Sequence, residues 1–325
     1  MVIGLHITKN RDKYKYLESF IDKKRLKNIT LIHIKDEQSL INKFKKLDVL
    51  VTYKIKPEIF KHHSNKLKWI HIGASGVEEN LFDEILKSKI MITNAKGINS
   101  KPVSEFIMSQ IMFFAKNFHD CYQFKKNRNW NQWELAKKTT QLSNSTLGII
   151  GYGEIGKELS KLAKSFGMRV LATRRLQKKK EPKKYVDLLM PINEVDEIFE
   201  KCDYLSISCP LTPLTNNLIN KNSFRKMKKN TVLINTSRGK IINEKDLIQV
   251  LKNKDIKGAA LDVFSVEPLS KNSPLFSMDN VFLSPHISGN FKEYQEIMIK
   301  QFNEMLIKFM NGKPIKNRVC KKRLY

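Results

Sequence analysis

Long apolar runs are missing from this 325-residue sequence. No window approaches the roughly 20 apolar residues that span a bilayer, and the opening MVIGLHITKN lacks the basic and apolar segments of a secretory signal. Cysteine is scarce, with no CxxC pair among Cys121, Cys202, Cys209 and Cys320 and no histidine at metal-ligand spacing. The sequence therefore predicts no secretion, membrane insertion, metal site or disulfide framework, and it favours a reducing cytoplasm.

Arginine is also rare, because only 10 of the 60 basic residues are arginine although the net charge is +28. A charge of this size is typical of nucleic-acid-binding proteins when it is concentrated in one patch. Here the lysines are spread along the whole chain, and lysine is less suited than arginine to bidentate phosphate recognition. We therefore expect no nucleic-acid partner. Against this background the adjacent pair Arg174 and Arg175 stands out.

The length and the 41% hydrophobic content are sufficient for two α/β domains. In the first hundred residues, helical stretches separate five β-rich runs, which predicts a parallel sheet with crossover helices. These runs are VIGLHI at 2, TLIHI at 30, VLVTY at 49, KWIHIG at 68 and IMITNA at 90. An amphipathic helix over 101–117, with helix-start signals at Ser100 and Pro102, follows and is the predicted hinge.

A second alternating series begins at Thr146. Its predicted strands are TLGIIG at 146, MRVLAT at 168, DYLSIS at 203, TVLINT at 231, GAALDV at 258 and VFLS at 281. Its predicted helices cover 154–167, 193–201, 221–227 and 244–252, and KKKEPKK at 178 reads as a solvated loop. A last helix over 291–310 has no domain of its own.

We therefore expect two doubly wound parallel-sheet domains, because the last helix returns to the first domain and makes the second one an insertion. Residues 1–100 with 288–325 would form a flavodoxin-like substrate domain. Residues 101–287 would form a Rossmann dinucleotide-binding domain.

The segment GYGEIG places Gly151, Gly153 and Gly156 between a predicted strand and a predicted helix. The first glycine permits a tight turn, the second lets a pyrophosphate approach the backbone, and the third lets the helix pack closely on the strand. The N-terminus of the helix adds free N–H groups and partial positive charge. With strand, turn, helix and second strand in order, the pattern predicts dinucleotide binding.

The end of the second strand of this unit holds Thr173, Arg174 and Arg175, where an NAD-specific fold has an acidic residue for the ribose hydroxyls. An arginine there attracts the extra phosphate of NADP, and no carboxylate is present to repel it. We therefore predict a preference for NADP(H), with NAD(H) left open.

Three polar residues follow successive predicted strands, in INTSRG (Arg238), LDVFSVEP (Glu267) and LSPHISG (His286). Ligands of parallel sheets bind beyond the carboxyl ends of the strands, so the three side chains should point toward one site beside the cofactor. Imidazole can donate or accept a proton near neutral pH, a carboxylate can orient it, and a guanidinium can bind a substrate carboxylate. This combination predicts an acid–base site beside the cofactor.

These motifs resemble those of the D-isomer-specific 2-hydroxyacid dehydrogenase family, along nearly the whole chain and most specifically from Gly148 to Gly289. The resemblance implies that His286 is the acid in reduction, Glu267 orients it and Arg238 binds substrate. It also implies that backbone N–H groups near Ser75, Gly76 and Val77 hold the substrate carboxylate and that Asp262 contacts the nicotinamide amide. The candidate cofactor contacts are Gly151, Tyr152, Gly153, Glu154, Ile155, Gly156, Thr173, Arg174, Arg175, Cys209, Pro210, Thr215, Thr236, Ser237, Asp262 and Gly289.

By the same resemblance, the expected substrate is a small 2-keto acid such as glyoxylate or hydroxypyruvate, and Glu267 argues against a formate dehydrogenase. Trp130 and Trp133 lie where the family's dimer contacts form, so a homodimer is expected. Family members that act as nucleotide-sensing corepressors keep this fold, and the basic composition leaves such a role, or nucleic-acid binding, as the alternative.

Overall fold

The computed structural model describes residues 1–324, which form two compact units. Unit 1 comprises residues 1–98 and 291–324, and unit 2 comprises residues 99–290. The boundaries expected from the sequence, after residues 100 and 287, lie within three residues of these limits.

The strands, in chain order, are β1 (Val2–His6), β2 (Thr30–His33), β3 (Val49–Thr52), β4 (Trp69–Ile72), β5 (Met91–Asn94), β6 (Thr146–Ile150), β7 (Arg169–Arg174), β8 (Glu181–Lys183), β9 (Val186–Pro191), β10 (Tyr204–Ile207), β11 (Val232–Asn235), β12 (Gly258–Leu261) and β13 (Val281–Leu283). The helices are α1 (Arg11–Glu18), α2 (Glu37–Phe44), α3 (Pro57–Phe60), α4 (Asp83–Lys87), α5 (Ser100–Ala115), α6 (Phe118–Asn127), α7 (Gln132–Lys138), α8 (Glu154–Ser165), α9 (Asp196–Lys201), α10 (Lys221–Lys226), α11 (Glu244–Lys252) and α12 (Tyr294–Met310). No helix within residues 1–324 has the length and apolar character that a membrane crossing requires.

Unit 1 is built on a five-stranded parallel sheet in the order β2-β1-β3-β4-β5. This is the flavodoxin-like order, as expected. The strands β3 and β4 are buried throughout, as is typical of parallel strands with helices on both faces. Helix α12 contributes Met298, Ile299 and Phe302 to the same core, which places the last helix of the chain in the first unit.

Unit 2 contains an eight-stranded sheet in the order β13-β12-β11-β10-β6-β7-β9-β8. All of its neighbouring strands are parallel except the pair β8 and β9. The order around β6 and β7 is that of a Rossmann fold, with the strand order reversing between β6 and β10. The prediction of two parallel-sheet α/β domains, one of them a Rossmann domain, is confirmed.

The sequence-based prediction of a solvated loop over 178–184 is wrong in part. Residues 181–183 form the edge strand β8, which pairs antiparallel with β9. An edge strand gains its stability from one row of backbone hydrogen bonds, so it carries charged residues and Pro182 without an apolar signal. The pattern also missed β9, α6 and α7, and neither of these helices contains a buried residue.

Candidate active site

The imidazole of His286 and the carboxylate of Glu267 are hydrogen-bonded to each other. Nδ1 of the ring lies 2.8 Å from Oε2 of Glu267, and the other carboxylate oxygen accepts a bond of 3.0 Å from the Phe264 amide. Both side chains are partly exposed, at 49% and 36%. Within residues 1–324, Nε2 of His286 makes no hydrogen bond. The ring is therefore oriented through one nitrogen, and the other can exchange a proton with a ligand.

The loop that carries His286 is organised by Asp262, which is 1% exposed and follows β12. Its carboxylate accepts hydrogen bonds from the Ser284 hydroxyl (2.6 Å) and from the amides of Ile287 and Ser288 (both 2.9 Å). Its carbonyl also accepts a bond from the His286 amide. His286 has a φ of 53°, a left-handed conformation that is uncommon for residues other than glycine. These bonds hold the histidine backbone in that conformation.

Arg238 reaches the same end of the sheet because Gly239 permits a close backbone contact. An ideal Cβ at Gly239 would lie only 1.9 Å from the carbonyl carbon of Phe264 and 2.4 Å from the Ser265 nitrogen. The loop after β11 therefore touches the loop after β12, three residues before Glu267. The guanidinium of Arg238 donates through Nη1 to the Ser237 carbonyl at 2.7 Å, which directs the side chain along this loop.

The glycine turn between β6 and α8 has the geometry of a phosphate cradle. Gly151 has a φ of 105°, and a Cβ there would lie 2.7 Å from the backbone of Ser208 and Cys209. A Cβ at Gly156 would lie 2.7 Å from the Gly151 carbonyl oxygen. At Gly153, by contrast, no atom of the described residues beyond its chain neighbours lies within 4 Å of an added Cβ. This open space at the N-terminus of α8 fits a dinucleotide pyrophosphate.

Thr173 supports this turn through its backbone. Its carbonyl oxygen accepts the amides of Gly151 (3.2 Å) and Tyr152 (2.8 Å), while its side chain is fully buried. Arg174 and Arg175, which follow directly, are exposed. The structure thus places both residues at the end of β7, directly after the residue whose carbonyl holds the glycine turn.

The segment after β10 forms a compact loop next to the cradle. The Thr215 hydroxyl donates to the Pro210 carbonyl at 2.7 Å and accepts from the Thr212 amide at 2.8 Å. The Ser237 hydroxyl donates to the Cys209 carbonyl and joins this loop to the one that carries Arg238. Burial raises the pKa of the Cys209 thiol to about 12, so this cysteine stays protonated and does not act as a nucleophile.

Ser75, Gly76 and Val77 lie in unit 1, in the loop after β4. The Ser75 hydroxyl donates to the Ala95 carbonyl at 3.3 Å, and Val77 is buried. The predicted site residues are thus divided between the units, with the substrate loop in unit 1 and the other candidates in unit 2.

Sequence reasoning missed Ser284, Asn235 and Glu244. Ser284 bonds Asp262, the Asn235 amide group donates to the Arg238 carbonyl at 3.0 Å, and Glu244 accepts from the Ser265 amide at 3.0 Å. The sequence contains a signal for Ser284 and Asn235, because each is a polar residue at the end of an apolar run. The structure shows that both side chains are buried.

Residues 108–288 match the family profile described as "D-isomer specific 2-hydroxyacid dehydrogenase, NAD binding domain". A glyoxylate reductase of Thermococcus litoralis is 32% identical over 290 residues, which cover 87% of this chain and 86% of that protein. A D-3-phosphoglycerate dehydrogenase of Methanocaldococcus jannaschii is 31% identical over 287 residues, covering 87% of this chain and 53% of that protein.

Among solved structures, an NADPH-dependent glyoxylate/hydroxypyruvate reductase from Sinorhizobium meliloti, in complex with NADP and sulfate, superimposes with a TM-score of 0.85. The two sequences are 22% identical, and the match covers 100% of this chain and 99% of that chain. At this identity the likeness concerns the fold alone.

Proposed function

We propose that this chain, which belongs to the D-isomer-specific 2-hydroxyacid dehydrogenase family and is an NAD(P)-dependent oxidoreductase, reduces a small 2-keto acid of the glyoxylate or hydroxypyruvate type with NADPH. The observation that carries the proposal is the ring of His286, held by Glu267 on one side and free to exchange a proton on the other. The names of the glyoxylate reductases that resemble this chain support the choice of substrate.

In the proposed reaction, the glycine turn of residues 151–156 would hold the dinucleotide, whose reduced nicotinamide would supply a hydride for the keto carbon. Negative charge then develops on the carbonyl oxygen, and His286 donates a proton to it through Nε2. Glu267 keeps the ring oriented and balances the charge of its protonated form. Arg238 binds the substrate carboxylate and polarises the carbonyl, and the N–H groups near Ser75, Gly76 and Val77 bind the same carboxylate.

The experiment that tests the reaction measures NADPH oxidation at 340 nm with a panel of 2-keto acids that includes glyoxylate, hydroxypyruvate and 3-phosphohydroxypyruvate. We expect turnover with the two smaller acids, and loss of turnover in His286→Ala and Arg238→Ala variants that keep their fold. Near-normal turnover in either folded variant contradicts the assigned roles. No turnover with any acid, together with DNA binding that persists at physiological salt, favours the corepressor or nucleic-acid alternative.

The NADPH preference is proposed from Arg174 and Arg175, whose exposed guanidinium groups follow β7 directly. Replacing both by alanine should lower kcat/KM for NADPH about 10- to 100-fold, because hydrogen bonds to a charged phosphate are lost, and should change kcat/KM for NADH much less. Arg169→Ala is the matched control, since this exposed arginine occupies the opposite end of the same strand. A clearly higher kcat/KM with NADH in the wild-type protein rejects the preference.

We also propose that the chain acts as a cytoplasmic homodimer. The segment α6–α7 has no buried residue, and it exposes Tyr122 (66%), Trp130 (79%) and Trp133 (74%). Exposed aromatic side chains concentrated on one segment are typical of protein interfaces. Sedimentation equilibrium should give twice the 37.9 kDa chain mass, and the double variant Trp130→Ser/Trp133→Ser should shift it toward the monomer. A monomeric wild-type protein contradicts this proposal.

A further inference from the structure

In the loop after β4, the carbonyl oxygens of Gly73, Ala74 and Ser75 each accept a hydrogen bond from a donor of unit 1. The Tyr294 hydroxyl donates to the Gly73 carbonyl at 2.8 Å. The Ala95 amide donates to the Ala74 carbonyl at 3.1 Å, and the Asn94 side-chain amide donates to the Ser75 carbonyl at 2.6 Å. Three consecutive peptide groups of the loop are therefore fixed through their oxygens.

A fixed carbonyl also fixes the N–H group of the next residue, because the two bonds of a planar trans peptide point in opposite directions. Each N–H group of Ala74, Ser75 and Gly76 therefore points away from the donor that binds the carbonyl of the same peptide group. Within residues 1–324, none of these amides, nor that of Val77, donates a hydrogen bond to the protein. Successive free N–H groups of this kind form a binding site for an anion.

The tyrosine is held firmly in place at the start of α12. The residue after it, Gln295, donates through Nε2 to the Tyr53 hydroxyl at 3.0 Å and to the Ile7 carbonyl at 3.2 Å. The ring of Tyr53 in turn packs on Gly73, where an added Cβ would lie 3.0 Å from Cε1. Burial also raises the pKa of Tyr294, so its hydroxyl remains a donor through the neutral pH range.

We propose that Tyr294 and Asn94 are positioning residues that set the peptide planes of residues 73–76, so that their N–H groups face the substrate carboxylate. The side chains themselves do not touch the substrate. They act by preorganising the backbone, which removes the cost of ordering the loop when the anion binds. This inference rests on the proposed function, since it assigns the substrate carboxylate to this loop.

The variants that test it are Tyr294→Phe, which removes one hydroxyl and keeps the ring, and Asn94→Ala. Tyr16→Phe is the matched control, because the Tyr16 hydroxyl donates at 2.8 Å to Glu296 on the same helix but away from the loop. The assays are steady-state kinetics with glyoxylate and NADPH, thermal unfolding, and calorimetric titration with oxalate, a dicarboxylate that needs no turnover to be measured.

We expect Tyr294→Phe to raise KM for glyoxylate and Kd for oxalate about 3- to 10-fold, the value of one hydrogen bond, with kcat, KM for NADPH and the thermal midpoint nearly unchanged. Asn94→Ala should also raise KM for glyoxylate and Kd for oxalate, and Tyr16→Phe should change neither of them. An unchanged oxalate Kd in Tyr294→Phe, a loss confined to kcat, or a wild-type protein that binds no oxalate overturns the proposal. If the wild-type protein binds oxalate but reduces no 2-keto acid, the proposed function fails while the oxalate titration still tests the positioning role.

Discussion

His71 gives a quantitative prediction about the stability of unit 1. Its side chain is fully buried on β4, with Nδ1 2.8 Å from the Thr93 hydroxyl, which also accepts the Trp69 indole N–H at 2.8 Å. Within residues 1–324, Nε2 has no hydrogen-bond partner. Burial lowers the pKa of His71 from 6.5 to about 3, because no group compensates a charge on the ring.

A folded pKa below the unfolded value means that the unfolded chain binds the additional proton. The stabilising contribution is therefore fully present above pH 6.5, and it is lost as the pH falls toward 3. With about 1.4 kcal/mol per pKa unit, the free energy of unfolding should fall by about 2 kcal/mol between pH 7.5 and pH 5.0 through His71 alone.

The assay is urea unfolding followed by tryptophan fluorescence. All variants carry Trp130→Ser/Trp133→Ser, which leaves the fully buried Trp69 of unit 1 as the one remaining tryptophan of the three, so the signal reports on unit 1. In His71→Phe, the fall in the free energy of unfolding between pH 7.5 and pH 5.0 should be smaller by about 2 kcal/mol. His62→Phe, at an exposed position of the same unit, should leave it unchanged. An equal loss of stability in wild type and His71→Phe refutes the reasoning.

Three further changes test the geometry of unit 2. Gly239→Ala should lower kcat/KM at least about 100-fold, since its Cβ displaces the backbone of Phe264, and turnover beside the circular dichroism spectrum measures this. Gly156→Ala, whose Cβ meets the Gly151 carbonyl oxygen at 2.7 Å, should raise Kd for NADPH in a fluorescence titration, and an unchanged Kd contradicts the packing argument. Asp262→Asn should lower the free energy of unfolding by about 1–3 kcal/mol, because an amide cannot accept all three bonds of the carboxylate, and denaturant unfolding at pH 7.5 decides it.

The sequence is sufficient to predict most of the elements whose signal is apolar. All eleven strands expected from β-rich runs are present, because buried parallel strands are continuous apolar segments bounded by polar ones. The sequence pattern missed β9, although its Val186, Leu189 and Met190 are buried. It missed the edge strand β8 and the helices α6 and α7 because they bury little or nothing within the unit. Their amino acids carry no periodic pattern that burial would impose.

The sequence is sufficient to indicate which candidate site residues follow the strands. It does not show which hydrogen bonds hold those residues in place. The pairing of Glu267 with His286 is the contact that the resemblance implied, and the two atoms lie 2.8 Å apart. The support from Asp262 to the histidine loop depends on a turn with positive φ at His286, which no propensity predicts. The bond from Tyr294 to Gly73 joins residues 221 positions apart, so only the folded chain reveals it.

The glycine turn after β6 is supported by the main chain of Thr173. Under the proposed function, coenzyme choice would therefore depend on side chains at the end of β7, and pyrophosphate binding would depend on the backbone. If the proposed coenzyme preference holds, substitutions at Arg174 and Arg175 would change which coenzyme is accepted and leave the backbone support of the turn intact.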